Sequence, residues 1–418
     1  MPRVSDAVIS GVGACNGLGQ NAPALVTALS ALRRADYQPY FKDERAAADL
    51  GMPFNPLQVP MPAAKGLRHP ARSDAPTAAV LLERVIDEAL GDAGLSRAAL
   101  GGQRVQLYIG GQGVQPEILQ FAAYLQRNDS EDLRFNPVIR PQMHSDSCSE
   151  ERLGRLLMQR LGLVRPPLAL STASCSSMSA LYLASKAIEA GTTDLAVVVS
   201  WQQITQYNLM FMGGLNALAR SVSQPFAASS EGVMLGAGVA VSILESASHL
   251  AARGGRGRLR VEGFAMGQCG GSSRGGQSFS PDFRSIARTI SESLEKAEVS
   301  PEQIACVFMH GNGIRGSDQA ELMAVRKVWG DFAIPAVSYK AQFGYQIAAS
   351  GLTDLAILAD AVAQRRLLAF SAQAPLDSGC GVHLHADAEP IPLRCDKVLK
   401  LALGIEGSIA ACTFARMA

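Results

Sequence analysis

The chain of 418 residues is 48% hydrophobic and 18% charged, with 38 basic against 37 acidic side chains. That apolar fraction supplies a real core and excludes a disordered chain, and a net charge of +1 excludes the broadly basic surface that nucleic-acid binding needs. At roughly 150 residues per domain, the length suits two or three domains or one large duplicated α/β unit.

No membrane span is expected. The uncharged stretch from Pro166 to Ser185 is broken by two prolines and many Ser and Thr residues, and the apolar run between Glu231 and Glu245 is short and holds three glycines. The start of the chain, Met-Pro-Arg-Val-Ser-Asp, lacks the charged-then-apolar layout of a signal peptide, which points to a cytoplasmic location. Eight cysteines (Cys15, Cys148, Cys175, Cys269, Cys306, Cys380, Cys395 and Cys412) are dispersed without zinc spacing and read as buried free thiols, Cys175 apart.

In chain order, Ala7–Gly13 reads as a buried strand, the Pro-rich region from Tyr37 to Arg72 as loops or a cap, and Thr77–Leu90 as an amphipathic helix. The segment Gly94–Gly113 reads as a helix end, a Ser-started helical turn, an apolar strand and a glycine turn. An apolar strand, Leu168–Leu170, then runs into a small-residue turn that opens a helix within Ser171–Ala190, followed by strands Ala196–Ser200 and Val239–Leu244. Glycine-rich stretches between Gly254 and Gly276 divide the chain, and the pattern begins again. Leu259–Gly267 matches the first strand, Phe283–Leu294 the helix, Glu298–Gly313 the turn-strand-turn, and Ser338–Ala363 the second turn and helix. Strands Val398–Leu403 and Ile409–Phe414 close it. Strands alternating with helices imply a mostly parallel sheet covered on both faces, and two tandem copies imply a layered α/β/α/β/α sandwich with halves 1–253 and 254–418.

Cys175 lies in the turn after Leu168–Leu170, at the first turn of a helix. There the macrodipole is expected to lower the thiol pKa, and free backbone N–H groups to hold an oxyanion. His310 ends an apolar strand before a Gly-x-Gly turn, where α/β sites collect. His69, His144 and His249 read as surface residues; His383 and His385 alternate on an edge strand and read as solvent-facing, a metal role being the alternative. Lys340 closes a strand and is either a surface charge or a buried one paired with Asp354. Gly404–Gly407 is a plain hairpin or a turn whose N–H groups point into a site. Arg127–Glu151 reads as a mobile loop.

Together these segments resemble the β-ketoacyl-ACP synthase family, the elongating condensing enzymes of the thiolase superfamily. "TASCSSMSALYLASKAIEAG" is similar to the nucleophile motif, with Cys175 at the active cysteine. "HGNGIRGSDQAE" is similar to HGTGT…D..E, with His310 at the first active histidine. "SYKAQFGYQIAASG" is similar to the lysine-and-histidine motif: Lys340 fits the lysine and Asp354 the acidic partner. "SQPFAASSEGVMLGAGVAVSILE" resembles the RPFD…GEGAG stretch. Tyr345 stands where the family has its second histidine, and Gly404-Ile405-Glu406-Gly407 replaces its GFGG turn, so that Ile405 takes the gating position and Gly404 and Gly407 flank it beside the Cys175 oxyanion site.

The resemblance implies a five-layer thiolase fold, a homodimer or a heterodimer with a related ketosynthase, and no metal or other cofactor. It implies an acyl carrier protein or coenzyme A thioester as acyl donor to Cys175, and condensation with a malonyl-type extender in specialised fatty-acid or polyketide synthesis. A phenol donates a hydrogen bond but accepts protons poorly below a pKa of ~10. Loss of one oxyanion donor costs about 10²–10³ in rate. Two alternatives follow: a non-decarboxylating acyltransferase to an alcohol, amine, thiol or water, and a chain-length-factor-like partner of another ketosynthase.

Overall fold

A computed structural model describes residues 6–62, 75–113, 150–269, 281–377 and 381–417. His69, His144, Cys148, Cys380, most of the expected 127–151 loop and the glycines from 270 to 276 lie outside the described residues.

The main elements of the first half are β1 (Ala7–Asn16), α1 (Ala22–Ser30), α2 (Ala75–Asp92), β2 (Val105–Gly110), α3 (Glu150–Leu161), β3 (Leu168–Leu170), α4 (Ser176–Glu189), β4 (Leu195–Gln202) and β5 (Gly238–Ser246). The second half adds β6 (Leu259–Gln268), α5 (Phe283–Lys296), β7 (Val307–Phe308), α6 (Arg315–Trp329), β8 (Pro335–Val337), α7 (Ser350–Ala363), β9 (His383–Leu384), β10 (Lys397–Leu403) and β11 (Ser408–Arg416). These strands form one eleven-stranded sheet in the order β9-β8-β7-β10-β11-β6-β1-β5-β4-β2-β3.

From the middle outward the two halves repeat one plan. β1-β5-β4 pair antiparallel and β4-β2-β3 parallel. Correspondingly, β6-β11-β10 pair antiparallel and β10-β7-β8 parallel, with β9 added at the edge. A short antiparallel pairing of Val8 and Ile9 with Arg260 and Leu259 joins them.

Apolar side chains on both faces of the strands set the layers. Leu107, Ile109, Val197 and Val199 face Leu82 and Val85 of α2 and Leu153 of α3. Ala196, Val198 and Leu244 face the opposite way, onto Met178 and Leu181 of α4 and Leu352 and Leu355 of α7. Val261, Phe264, Val398 and Phe414 meet that central cluster from the second half. Leu399, Leu401 and Ile409 turn outward onto α5 and α6. The result is the α/β/α/β/α order expected, but the sheet is mixed instead of mostly parallel, because the long strands at the middle of each half pair antiparallel. All but two of the 14 residues of α7 are buried, as an apolar helix enclosed on every side requires.

The segment after Tyr37 makes a cap in which short strands Gln38–Pro39 and Leu57–Val59 flank a helix, Glu44–Ala48, and pair onto Leu235–Gly236. Two expectations are corrected. The strand before Lys340 ends at Val337, and Lys340 opens a short helical turn instead of closing a strand. His385 is buried just past the edge strand β9, because the chain returning to Phe370 covers it, while His383 faces solvent. Of the six described cysteines all are free, and only Cys395 is partly exposed.

Candidate active site

β3 ends at Leu170, a 3-10 turn spans Ala173–Cys175, and Cys175 is the N-cap of α4. Ala173 holds φ 43°, in the left-handed region where a side chain costs of order 1–3 kcal/mol. β2 backs directly on this turn: a Cβ on Gly110 would lie 2.6 Å from Ser177 N. The Cys175 side chain is 0% exposed, and its thiol donates to the Ser408 carbonyl oxygen at 3.4 Å.

This position corrects two expectations. Burial pushes the Cys175 thiol up to about 12, outweighing the hydrogen bond to Ser408 and the Lys400 charge, which act in the other direction. The Cys175 backbone N–H is not free either, because it donates to Thr172 O at 2.9 Å in closing the turn. The Gly404–Gly407 turn is a tight hairpin between β10 and β11. Its Gly404 N–H donates to Ser408 O at 2.8 Å and its Gly407 N–H to Gly404 O at 2.9 Å, so neither points into a site. Ile405 is half-buried against the apolar cluster that contains Tyr345.

His310 follows β7 and is buried. Glu321 on α6 fixes its backbone, accepting from His310 N at 2.5 Å and Gly311 N at 2.8 Å. Asp318, one turn earlier, accepts from Asn312 N, Gly313 N and Phe226 N at 3.0, 3.1 and 2.9 Å. Burial, followed by the charges of Lys340 and Lys400, holds the His310 pKa well below the usual histidine value, so the ring is neutral.

Lys340 and Asp354 are buried partners, 2.9 Å apart, as one of the two sequence alternatives required. A second lysine, Lys400 on β10, reaches the same Asp354 Oδ2 at 2.7 Å and also donates to Leu401 O at 2.6 Å and Met309 O at 3.3 Å. Burial lowers Lys400 to about 8 despite that carboxylate. Burial would raise Asp354, but the two ammonium groups overcome it and keep the carboxyl below its ordinary value.

Tyr345 joins the two arms. Its hydroxyl pairs with Ser174, the neighbour of Cys175, and its ring stands edge-on to that of His310 with centroids 5.7 Å apart. Burial raises its pKa, leaving a neutral phenol.

Sequence reasoning thus brought together Cys175, His310, Tyr345, Lys340 and Asp354. It gave no role to Ser174, Asn312 or Lys400, and it reached the backbone-holding carboxylates Asp318 and Glu321 only as the D and E of the matched HGTGT…D..E motif. The available signal for Lys400 was a lysine between apolar neighbours in "KVLKLALG". Among the described residues no group of three His, Cys, Asp or Glu is placed to hold a metal ion, and no helix is long and apolar enough to cross a membrane.

With this geometry in place, the relationships of the chain can be read. Residues 20–249 match the family model for the beta-ketoacyl synthase N-terminal domain, and residues 260–371 that for the beta-ketoacyl synthase C-terminal domain. The chain belongs to the β-ketoacyl synthase family, and its fold is the thiolase fold. It is 27% identical over 276 residues to a putative polyketide beta-ketoacyl synthase 1 of Streptomyces cyaneus, covering 64% of each chain. It is 26% identical over 344 residues to the tetracenomycin polyketide synthase ketoacyl synthase alpha subunit of Streptomyces glaucescens, covering 79% of this chain and 78% of that one. A solved structure of a type II PKS acyl-carrier protein in complex with its ketosynthase bound to the hexaketide superimposes with a TM-score of 0.82 at 19% identity, over 100% of both chains.

Proposed function

We propose that the chain is a ketosynthase-like acyltransferase of polyketide or related fatty-acid synthesis, acting in the cytoplasm. Cys175 takes an acyl group from an acyl carrier or coenzyme A thioester, and the acyl-enzyme is condensed with a malonyl-type extender. One observation carries this reading: Tyr345 links a buried thiol and a buried neutral imidazole, its hydroxyl pairing with Ser174 beside Cys175 at the start of a central helix and its ring standing edge-on to His310. The two halves, 1–253 and 254–418, contribute unequally, the first supplying Cys175 and the second His310, Lys340, Tyr345 and Asp354.

Loading requires entry, since Cys175 is fully buried. Ile405, on the hairpin whose Ser408 carbonyl touches the sulfur, is the group that moves to admit the acyl chain. Burial and the charges of Lys340 and Lys400 keep His310 uncharged, and Tyr345 offers an O–H to a thioester oxygen in place of an imidazole N–H. The proposed partners are an acyl carrier protein and a second subunit, either a copy of this chain or a related ketosynthase.

Tyr345 in place of imidazole favours a second reading, in which the acyl group is passed on without decarboxylation or the chain serves as a chain-length-factor-like partner. Intact mass after exposure to acyl-carrier thioester separates them. A mass gain that disappears in Cys175→Ala supports the enzyme; no gain selects the partner role. CO2 release from malonyl carrier then separates condensation from simple transfer.

A further inference from the structure

Glu406 is the one charged residue of the Gly404–Gly407 turn, and nothing in the chemistry of Cys175, His310 and Tyr345 uses it. The turn is fixed over the nucleophile. The Ser408 carbonyl that accepts from Gly404 N–H also accepts from the Cys175 thiol, at 3.4 Å. From the other side the end of β6 pins the turn: Gln268 Nε2 donates to Glu406 O at 2.7 Å, and Cys269 N–H donates to Gly407 O at 2.7 Å. Ile405, just before Glu406, packs in the apolar cluster that contains Tyr345, and Ser408, two residues after it, meets the sulfur. Two residues span at most about 7 Å of chain, so the exposed Glu406 side chain stands at the mouth of the site, beside the residue that moves to admit an acyl group. Burial is the main cause that raises the Cys175 and Tyr345 pKa values, and the Glu406 charge adds to it at both. Among the described residues no cation offsets that charge.

We infer that Glu406 is a specificity-determining residue that screens acyl donors by charge, favouring uncharged chains on Cys175 over chains that end in a carboxylate. The inference rests on the ketosynthase-like reading and names the acyl class that loads. In loading, the bond from Sγ to the acyl carbon forms as the bond to the donor sulfur breaks, and the thiol proton leaves on the released thiol. Glu406 makes none of these bonds; it acts on the free energy of bringing a second negative charge to the mouth. Two unit charges about 10 Å apart, at an effective dielectric constant of about 20–40, change a rate ratio by roughly 4- to 15-fold. That is a bias and not a bar, so a malonyl extender still enters, while Cys175 is kept for the chain to be extended.

The test exposes the full chain to butyryl-coenzyme A or succinyl-coenzyme A, donors of equal carbon count that differ in the terminal carboxylate. Partial burial raises the pKa of Glu406, so the assay runs at about pH 8, where the group is ionised. Initial rates of mass gain are read on the intact protein, with Cys175→Ala as the control for the site. The quantity compared is the butyryl-to-succinyl ratio, in which the phosphates of coenzyme A and any general easing of thiol ionisation cancel. Glu406→Gln should lower that ratio by about 3- to 10-fold, and Glu406→Lys should lower it further. Added salt should narrow the wild-type ratio without any substitution, and narrow it less in Glu406→Gln. A ratio that neither variant moves overturns the inference while the observed loading leaves the ketosynthase-like reading in place. A wild type that neither donor acylates overturns that reading and this inference together.

Discussion

Asp354→Asn exposes the electrostatics that hold the site together. Lys340 Nζ and Lys400 Nζ lie 2.9 and 2.7 Å from the same carboxylate oxygen, with both lysine side chains 1% exposed. Even with that counter-charge, burial takes Lys400 from 10.5 to about 8. The difference, 10.5 − 8 or about 2.5 units, corresponds to ~3 kcal/mol against the ammonium form at 1.36 kcal/mol per unit. The asparagine keeps the shape and removes the charge, leaving two buried cations without an anion at contact distance, so stability should fall by about 3–5 kcal/mol at neutral pH. The sign of the pH effect follows from linkage: a base whose folded pKa lies below its unfolded value binds more protons when unfolded, so stability rises with pH between the two values. In the variant that window opens further below pH 8, and the deficit should shrink as the pH climbs toward the unfolded lysine value. Urea unfolding followed by circular dichroism at about pH 7 and about pH 9.5 reads both effects. Lys400→Met, which removes the disfavoured ammonium and leaves one lysine on Asp354, should cost far less. A loss below about 1 kcal/mol for Asp354→Asn at pH 7, or a deficit equal at both pH values, would refute the triad as described.

Tyr345→His should raise CO2 release from malonyl carrier, by about 10²-fold if the new ring supplies the missing oxyanion donor; an unchanged rate removes position 345 from the site. Gly110→Ala should lower acyl loading on Cys175 and cost about 1–3 kcal/mol in urea unfolding, because its Cβ would meet Ser177 backbone atoms at 2.6 Å and must push the start of α4 away.

The layers were legible because hydrophobic periodicity is strong where strands are apolar on both faces and helices follow at regular spacing. Both halves of the pattern, down to the Ser-started turns before Arg97 and Pro301, are present in the structure. Charge states were not legible. A helix start argues for a thiolate at Cys175, yet the desolvation that wins depends on enclosure by β11 and the hairpin, neighbours more than 200 positions away along the chain. Lys400 has no local signature of its role, because only the placement of β10 beside β7 turns its side chain onto Asp354 and the Met309 carbonyl. Asn312 read as one more glycine-turn residue because its side-chain contact with His310, at 3.2 Å, exists only in the folded turn.

The repeated architecture also limits what backbone shape alone can say about catalysis. α7 begins as α4 does, after a 3-10 turn with a left-handed residue two places before the N-cap: Ile347 at φ 31° before Ala349, Ala173 at φ 43° before Cys175. The two N-caps nearly coincide in conformation, with φ/ψ of −82°/−11° and −86°/−5°. The strain is therefore kept in a half where the N-cap is an alanine and no nucleophile exists. Its common cause is packing, since the helices meet so closely that a Cβ on Gly351 would lie 2.6 Å from Ser177 Oγ. A strained turn before a buried helix is thus part of how this fold closes its central layer. The case for chemistry has to be made by the side chains that only one of the two turns gathers: the Cys175 thiol, the Ser174–Tyr345 pair and the imidazole held by Asn312.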